Sequence, residues 1–271
     1  MPTVFMLMCY MHYEKVFVRP LLRKTQIYDI LSNMKVLIIN ATMREQTSYN
    51  FSRVLAEMIA GEEGLIYEVF LPKNLPDFCT GCYRCITSGE SSCPHSKHVN
   101  TILAAIDDSQ VFIIASPVCG RNVPASLKNL FDHLYFQWIY HRPKGEMWNR
   151  QGVILTSCSI GGQKHAQNCI RHNLENWGMA KIHTLNFKTQ CRQFDEVLPY
   201  EKIRMGKSLE KLTAKILMGV DKKPGLYSRL LFLKGRLYQK LKNKNKIDTD
   251  YWGEKGWLDV IRPWYVKRIR K

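Results

Sequence analysis

Short apolar runs and helical patterns alternate along the chain from residue 34 onward. The run KVLIIN at residues 35–40 is rich in β-branched residues and bounded by polar ones, which is typical of a fully buried parallel strand. Further strands are predicted at residues 65–71, 111–115, 152–156 and 181–187, and helices at 51–59, 99–106, 124–138 and 165–177. Five strands alternating with helices predict an α/β fold with a doubly wound parallel sheet.

Ligands of such sheets bind at the carboxyl ends of the strands, so the loops there are the first candidates for a site. The loop at residues 40–50 is rich in hydroxyl and amide side chains and opens a helix. Free backbone N–H groups and the helix dipole favour a phosphate there. The candidate phosphate-binding residues are Thr42, Arg44, Thr47, Ser48 and Asn50. The alternative is that Ser48 or Asn50 only caps the helix.

The loop after the third strand reads Ser116-Pro117-Val118-Cys119-Gly120-Arg121-Asn122, and Leu127-Lys128 opens the pattern of the helix that follows. These two motifs resemble the NADPH-dependent FMN reductase branch of the flavodoxin-like superfamily, over roughly residues 34–187. Ala41 and Thr42 stand where that family has Gly-Ser, and Cys119 replaces its aromatic residue. The resemblance implies a flavodoxin-like five-stranded sheet in the order 2-1-3-4-5.

The resemblance also implies an FMN cofactor reduced by NADPH or NADH. The flavin ring is then expected against the loop after strand three and, at its other edge, the loop after strand four. The candidate ring-binding residues are Pro117, Val118, Cys119, Gly120, Asn122, Ser157 and Gly161. No catalytic acid or base is required, because the flavin itself carries the hydride chemistry.

Four cysteines lie within fifteen residues: Cys79, Cys82, Cys85 and Cys93. Thiolates at this spacing can converge on one inorganic core. The pattern resembles the cysteine motif of iron-sulfur flavoproteins, which implies a [4Fe–4S] cluster. Zinc held by the four thiolates and reduced thiols without metal remain open. The crowding of the cysteines favours a reducing, cytoplasmic location over a disulfide scaffold.

The positive charge is concentrated at the C-terminal end. Residues 201–271 contain 20 Lys and Arg against 7 Asp and Glu, a net charge of +13, whereas the whole chain carries +17. Leucines 226, 230, 233, 237 and 241 recur at helical spacing among basic residues. Such a helix can pack on the body or on a partner subunit, or lie on an anionic membrane. Nucleic acid is disfavoured, since no RNA-binding motif accompanies the charge.

Three segments follow: a poorly ordered N-terminal arm at residues 1–33, a flavodoxin-like FMN domain at 34–200 and a basic helical extension at 201–271. We predict an FMN-dependent NAD(P)H oxidoreductase that forms a homo-oligomer and passes electrons to an acceptor the sequence does not name. The alternative is a non-enzymatic electron carrier or redox sensor.

Overall fold

A computed structural model describes residues 34–188, 194–219, 224–242 and 245–259. Five strands form one parallel sheet: β1 Lys35–Asn40, β2 Leu65–Phe70, β3 Val111–Pro117, β4 Gln151–Cys158 and β5 Lys181–Lys188. Their order is β2-β1-β3-β4-β5, so the predicted topology is confirmed. The predicted arm at residues 1–33 lies outside the described residues.

Eight α-helices are found in the described ranges. They are α1 Thr47–Ala60, α2 Arg84–Thr87, α3 Ser96–Asp108, α4 Ala125–His133, α5 Gln163–Asn176, α6 Pro199–Leu217, α7 Leu226–Leu241 and α8 Lys246–Glu254. The helix expected at residues 124–138 ends at His133 and continues as a 3₁₀ turn at Tyr135–Gln137. Such tightening is common at helix ends.

Each face of the sheet carries its own apolar core. Side chains alternate between the two faces along a strand, so Leu37 and Ile39 pack with residues of α3, α4 and α5, while Val36 and Ile38 pack with residues of α1 and α6. The connecting loops begin at the carboxyl ends of the strands, between the two helical layers.

Helix α6 belongs to the core that contains Val36 and Ile38 of β1, because its Met205, Leu209 and Ile216 are buried in the same cluster. The segment boundary at residue 200 stays a prediction. Among the described residues, none of the helices has the length and apolar content needed to cross a bilayer.

Helices α7 and α8 form a third, smaller core with the segment before β4. Phe232 of α7 packs against three tryptophans, Trp148, Trp252 and Trp257. The regularly spaced leucines of α7 are not on this buried face; all five are exposed. Within the described residues, α7 therefore packs on the body through its other face, and the five leucines take no part in that contact.

Candidate functional site

The loop after β1 leads into an uncapped helix start. Helix α1 begins at Thr47, and Gln46 at its N-cap makes no side-chain capping hydrogen bond. The Asn50 side chain instead donates to the carbonyls of Glu45 and Gln46, at 3.1 and 3.0 Å. Neither Ser48 nor Asn50 caps the helix, so the capping alternative is wrong. The first N–H groups of a helix have no intrahelical acceptor and can receive an anion.

The hydroxyl-bearing residues of this loop lie at different depths. Thr47 and Ser48 are buried in the first turn of α1, Thr42 is half-buried, and Arg44 is exposed. Sequence reasoning missed Asn40, the last residue of β1. Its carboxamide is buried, and both its oxygen and its nitrogen lack a hydrogen-bond partner in the described part of the chain. A polar residue that ends a buried apolar strand at the ligand-binding edge was the available signal.

The loop after β3 is a tight turn. Cys119 and Asn122 exchange two backbone hydrogen bonds of 2.8 Å, and the two residues between them, Gly120 and Arg121, have φ values of +53° and +64°. Two central residues with positive φ are typical of a type I′ turn. The Asn122 side chain accepts a hydrogen bond from the amide of Val123 at 2.8 Å. All four turn residues are exposed, so this turn projects from the sheet edge.

The loop after β4 lies directly against that turn. The amide of Val118 donates to the carbonyl of Ser157 at 2.8 Å. Gly162, with φ of +90°, approaches Arg121 so closely that an added Cβ would lie 2.8 Å from the Arg121 Cα. Only glycine suits this position, where a positive φ coincides with close backbone contact.

A hydrogen bond ties the loops after β1 and β3 together, because the Ser126 hydroxyl at the start of α4 donates to the Ala41 carbonyl at 2.6 Å. Three loops therefore meet at one edge of the sheet. An open helix N-terminus, where an anionic group would be stabilised, lies beside a compact turn of main-chain groups. This arrangement fits a ligand with a phosphate at one end and a flat polar ring at the other. The edge carries all twelve predicted cofactor residues: Thr42, Arg44, Thr47, Ser48, Asn50, Pro117, Val118, Cys119, Gly120, Asn122, Ser157 and Gly161.

The loop between β2 and α3 brings together the four predicted metal ligands. Cys79, Cys82, Cys85 and Cys93 all line one cavity of about 20 Å³. All four are free thiols. Gly81, with φ of +66°, lets the chain turn sharply between the first two cysteines.

Two histidines line the same cavity, and sequence reasoning did not single them out as ligands. Nδ1 of His95 lies 2.9 Å from Nε2 of His133. One ring nitrogen of each histidine and the Cys93 sulfur all lie within 4.8 Å of one another. The Nδ1 atom of His133 lies 3.0 Å from the carbonyl of Asn129, which orients the ring so that Nε2 is the atom that contacts His95. Because His133 is 38 residues from His95 in sequence, no local pattern shows that they meet.

The cavity gives its thiols different pKa values. Burial, followed by the negative charges of Cys93, Cys79 and Cys82, raises the pKa of Cys85 to about 11. Hydrogen bonds from the Arg84 backbone and then from the Thr80 side chain lower the pKa of Cys82. Metal binding would offset the repulsion among these thiolates.

Two anchors hold the cysteine loop in place. On one side, the buried Asn129 of α4 accepts a hydrogen bond from the Cys79 amide at 2.8 Å and donates to the Asp77 carbonyl at 2.9 Å. On the other side, Arg142 donates to the Cys85 carbonyl and pairs with Asp248 of α8. The C-terminal helices therefore help to shape the cysteine centre.

The chain is similar to known proteins in family, in sequence and in fold. Residues 34–190 match the family model described as NADPH-dependent FMN reductase. An iron-sulfur flavoprotein of Archaeoglobus fulgidus is 26% identical over 201 residues, covering 71% of this chain and 85% of the relative. The crystal structure of an FMN-dependent NADH-azoreductase from Bacillus anthracis with FMN superposes with a TM-score of 0.50 at 12% identity, covering 68% of this chain and 99% of that one.

Proposed function

The chain belongs to the NADPH-dependent FMN reductase family, and on that premise we propose that the three joined loops bind FMN. The observation that carries the proposal is the open start of α1 beside the Cys119–Asn122 turn. The protein is an NAD(P)H-dependent FMN oxidoreductase. When bound, FMN supplies the hydride chemistry, accepting a hydride from NADPH or NADH and giving electrons to an acceptor.

In this proposal each loop has its own task. The first-turn amides of α1, with the Thr42, Thr47 and Ser48 hydroxyls, hold the phosphate, and Arg44 supplies a counter-charge. The main chain from Pro117 to Asn122 holds the ring. Ser157 and Gly161 border its other edge. Asn40, whose buried carboxamide has no partner in the described residues, is available to a ligand group at the edge of the sheet.

The variant Thr42→Asp tests the phosphate loop. Two unit charges about 4 Å apart repel by about 4 kcal/mol at an effective dielectric constant of 20. FMN affinity is therefore expected to fall by about a thousandfold. Quenching of FMN fluorescence on titration with the protein measures it. Thr101→Asp on the exposed side of α3 is the matched control and should bind as the parent does. Full flavin in the Thr42→Asp protein would show that this loop does not hold the phosphate.

Consumption of NADPH separates an enzyme from a carrier. An oxidoreductase supplied with an excess of acceptor oxidises many equivalents of NADPH per flavin, and the bleached flavin absorbance at about 450 nm recovers between additions. A carrier or sensor changes state once and stops. Parallel assays with NADH fix the choice of nicotinamide.

We also propose that the cysteine cavity holds a [4Fe–4S] cluster that accepts electrons from the flavin. Four free thiols around one cavity support this, as does the name of the A. fulgidus relative. The cavity of about 20 Å³ has room for little more than one water or ion, so the cysteine loop must open to take the cluster. The cavity also lies close to the ring loop. Helix α4 starts at Ala125 just after that loop, and Asn129, which holds the Cys79 amide, lies only about 6 Å further along the helix axis.

Zinc is the second candidate for this cavity, and Cys93, His95 and His133 favour it. One sulfur and two imidazole nitrogens within 4.8 Å of one another suit a tetrahedral Zn²⁺ completed by another thiolate. The two metals can be told apart by variants. Cys79→Ala should remove most cluster iron, whereas His95→Ala should leave iron in place and remove zinc. Cys169→Ala, which lies outside the cavity, should change neither.

Metal analysis after anaerobic reconstitution decides between the candidates. About four irons per chain, lost in Cys79→Ala, support the cluster. About one zinc, lost in His95→Ala, supports the mononuclear site. If neither metal is retained, both metal proposals fail and the protein is a flavin reductase with a thiol-rich loop.

A cytoplasmic location and a homo-oligomer complete the proposal. The free state of all seven described cysteines supports a reducing compartment. Light scattering coupled to size-exclusion chromatography tests the oligomer.

A further inference from the structure

Helix α7 has two apolar faces, and only one of them packs against other described residues. Ser228, Leu231, Phe232, Gly235 and Gln239 are buried. The opposite face carries a leucine stripe, which we define as Leu226, Leu230, Leu233, Leu237 and Leu241, with exposures between 39% and 73%. Since each helical residue turns by about 100°, the stripe lies about 180° from the buried face. The stripe points directly away from the body.

Close contacts hold the buried face of α7 against the body, so the helix cannot rotate about its axis to bury the leucine stripe. A Cβ on Gly235 would lie 2.9 Å from the Ile139 side chain and 3.2 Å from Trp252, which shows how closely the helix approaches the body. The Gln239 side chain donates to the Tyr140 carbonyl at 2.8 Å. The leucine stripe is thus held outward by packing and by a hydrogen bond on the other side.

Basic and aromatic residues border the stripe. Lys234 lies along one side of it and Lys240 along the other, and both are exposed. Tyr227 and Tyr238 lie on the same side as Lys234 and are 48% and 38% exposed. Helix α7 contains no Asp or Glu. An apolar stripe between lysines and tyrosines is typical of helices that lie in the interface of a bilayer.

We propose that the leucine stripe docks α7 flat on the surface of an anionic phospholipid bilayer. The leucines enter the boundary of the acyl chains, the tyrosine rings lie at headgroup level, and the lysines meet the phosphates. A second copy of the chain is a poorer occupant. Pairing two stripes would bring the lysines of both helices together with no acidic residue on either helix to offset them. This surface is separate from the flavin site, so the proposal goes beyond the proposed function.

Vesicle flotation with the full chain tests the proposal. Vesicles of phosphatidylcholine with one quarter phosphatidylglycerol should bind the protein, vesicles of phosphatidylcholine alone should bind it much less, and salt should weaken the binding. The double variant Leu233→Gln, Leu237→Gln should lower partitioning at least tenfold. Lys234→Gln with Lys240→Gln should weaken binding to the anionic vesicles and flatten its salt dependence.

The matched control replaces two exposed leucines elsewhere, Leu65→Gln with Leu198→Gln, and should bind vesicles as the parent does. Three results would overturn the proposal. The stripe variant could bind as well as the parent. A parent dimer that becomes monomeric in the stripe variant, without vesicle binding, would identify a second copy as the occupant. Absent vesicle binding with a lowered melting temperature in the stripe variant would show that another part of this chain covers the leucines.

Discussion

Asp248 links the C-terminal helices to the cysteine loop through Arg142, and its neutralisation should be costly. It is 1% exposed and pairs with Arg142, which is 5% exposed. Its Oδ2 atom also lies 2.8 Å from Nδ1 of His141 and accepts a hydrogen bond from the side-chain amide of Asn245 at 3.3 Å. Arg142 in turn donates to the Cys85 carbonyl. Asp248→Asn keeps the shape of the side chain and removes the charge.

The size of the expected loss of stability follows from the burial of Arg142, which keeps its charge in the Asp248→Asn variant. Breaking a buried ion pair by removing one charge costs about 3–5 kcal/mol, because the other charge stays buried without compensation. Glu90 lies 3.3 Å from Nε of Arg142, and its side chain is 47% exposed, so it offsets part of the loss. We therefore expect Asp248→Asn to lower the free energy of unfolding by about 3 kcal/mol, the lower end of that range. For a chain of this size that corresponds to a melting temperature lower by about 5 °C.

Urea unfolding followed by circular dichroism measures the effect in flavin-free protein. Asp250→Asn on the same helix is the matched control, since Asp250 pairs with the exposed Lys246. An exposed pair contributes at most about 1 kcal/mol. If the two variants lose the same stability within about 0.5 kcal/mol, the buried pair does not anchor α8, and the link between the C-terminal helices and the cysteine loop is wrong.

Two further predictions concern glycines and thiols. The methyl group of Gly206→Ala in α6 meets open space, so this variant should stabilise the protein by about 0.5–1 kcal/mol. The methyl group of Gly235→Ala in α7 would lie 3.0 Å from the Ile139 carbonyl, so this variant should destabilise the protein by about 1–3 kcal/mol. Thermal unfolding compares the two variants, and equal gains in stability would contradict the close contact. In metal-free protein, iodoacetamide should label Cys82 much faster than Cys85 near pH 7.5, and the Cys85 rate should keep rising toward pH 11 because only the thiolate reacts. Peptide mass spectrometry across pH measures both rates, and similar rates would show that the two thiols share one environment.

The centre of the sheet was predictable because β1, β3 and β4 each contain a continuous apolar run, which is how strands buried on both faces appear in sequence. The edge strands β2 and β5 are less apolar and only partly buried. The four cysteines were predictable as a group because they are close in sequence. The pair of His95 and His133 was not, because the two residues are 38 positions apart and belong to different elements, the cysteine loop and α4.

Helix α7 shows a different limit. Its bounds follow from the leucine spacing, but the leucines do not mark the buried face. Phe232 and Gly235 define that face, because a large ring fills the aromatic core while a glycine permits close approach to Ile139. Periodicity gives the orientation of an amphipathic helix only when one face is apolar, and α7 has two. The start of α1 was misplaced for a simpler reason, since its first turn is polar and lacks apolar periodicity.

The cysteine loop follows β2, the edge strand of the sheet. Among the described residues no strand pairs with the outer side of β2, so the loop can lengthen, shorten or exchange its ligands during evolution without shifting the register of a described strand pair. The position of the loop depends instead on the C-terminal helices. One link is the pair of Arg142 and Asp248, and the other is the Asn245 side chain, which donates to the Ile86 carbonyl at 2.8 Å. The loop and the C-terminal helices are therefore expected to vary together, so related chains without an acidic residue at position 248 should also differ in the cysteine loop.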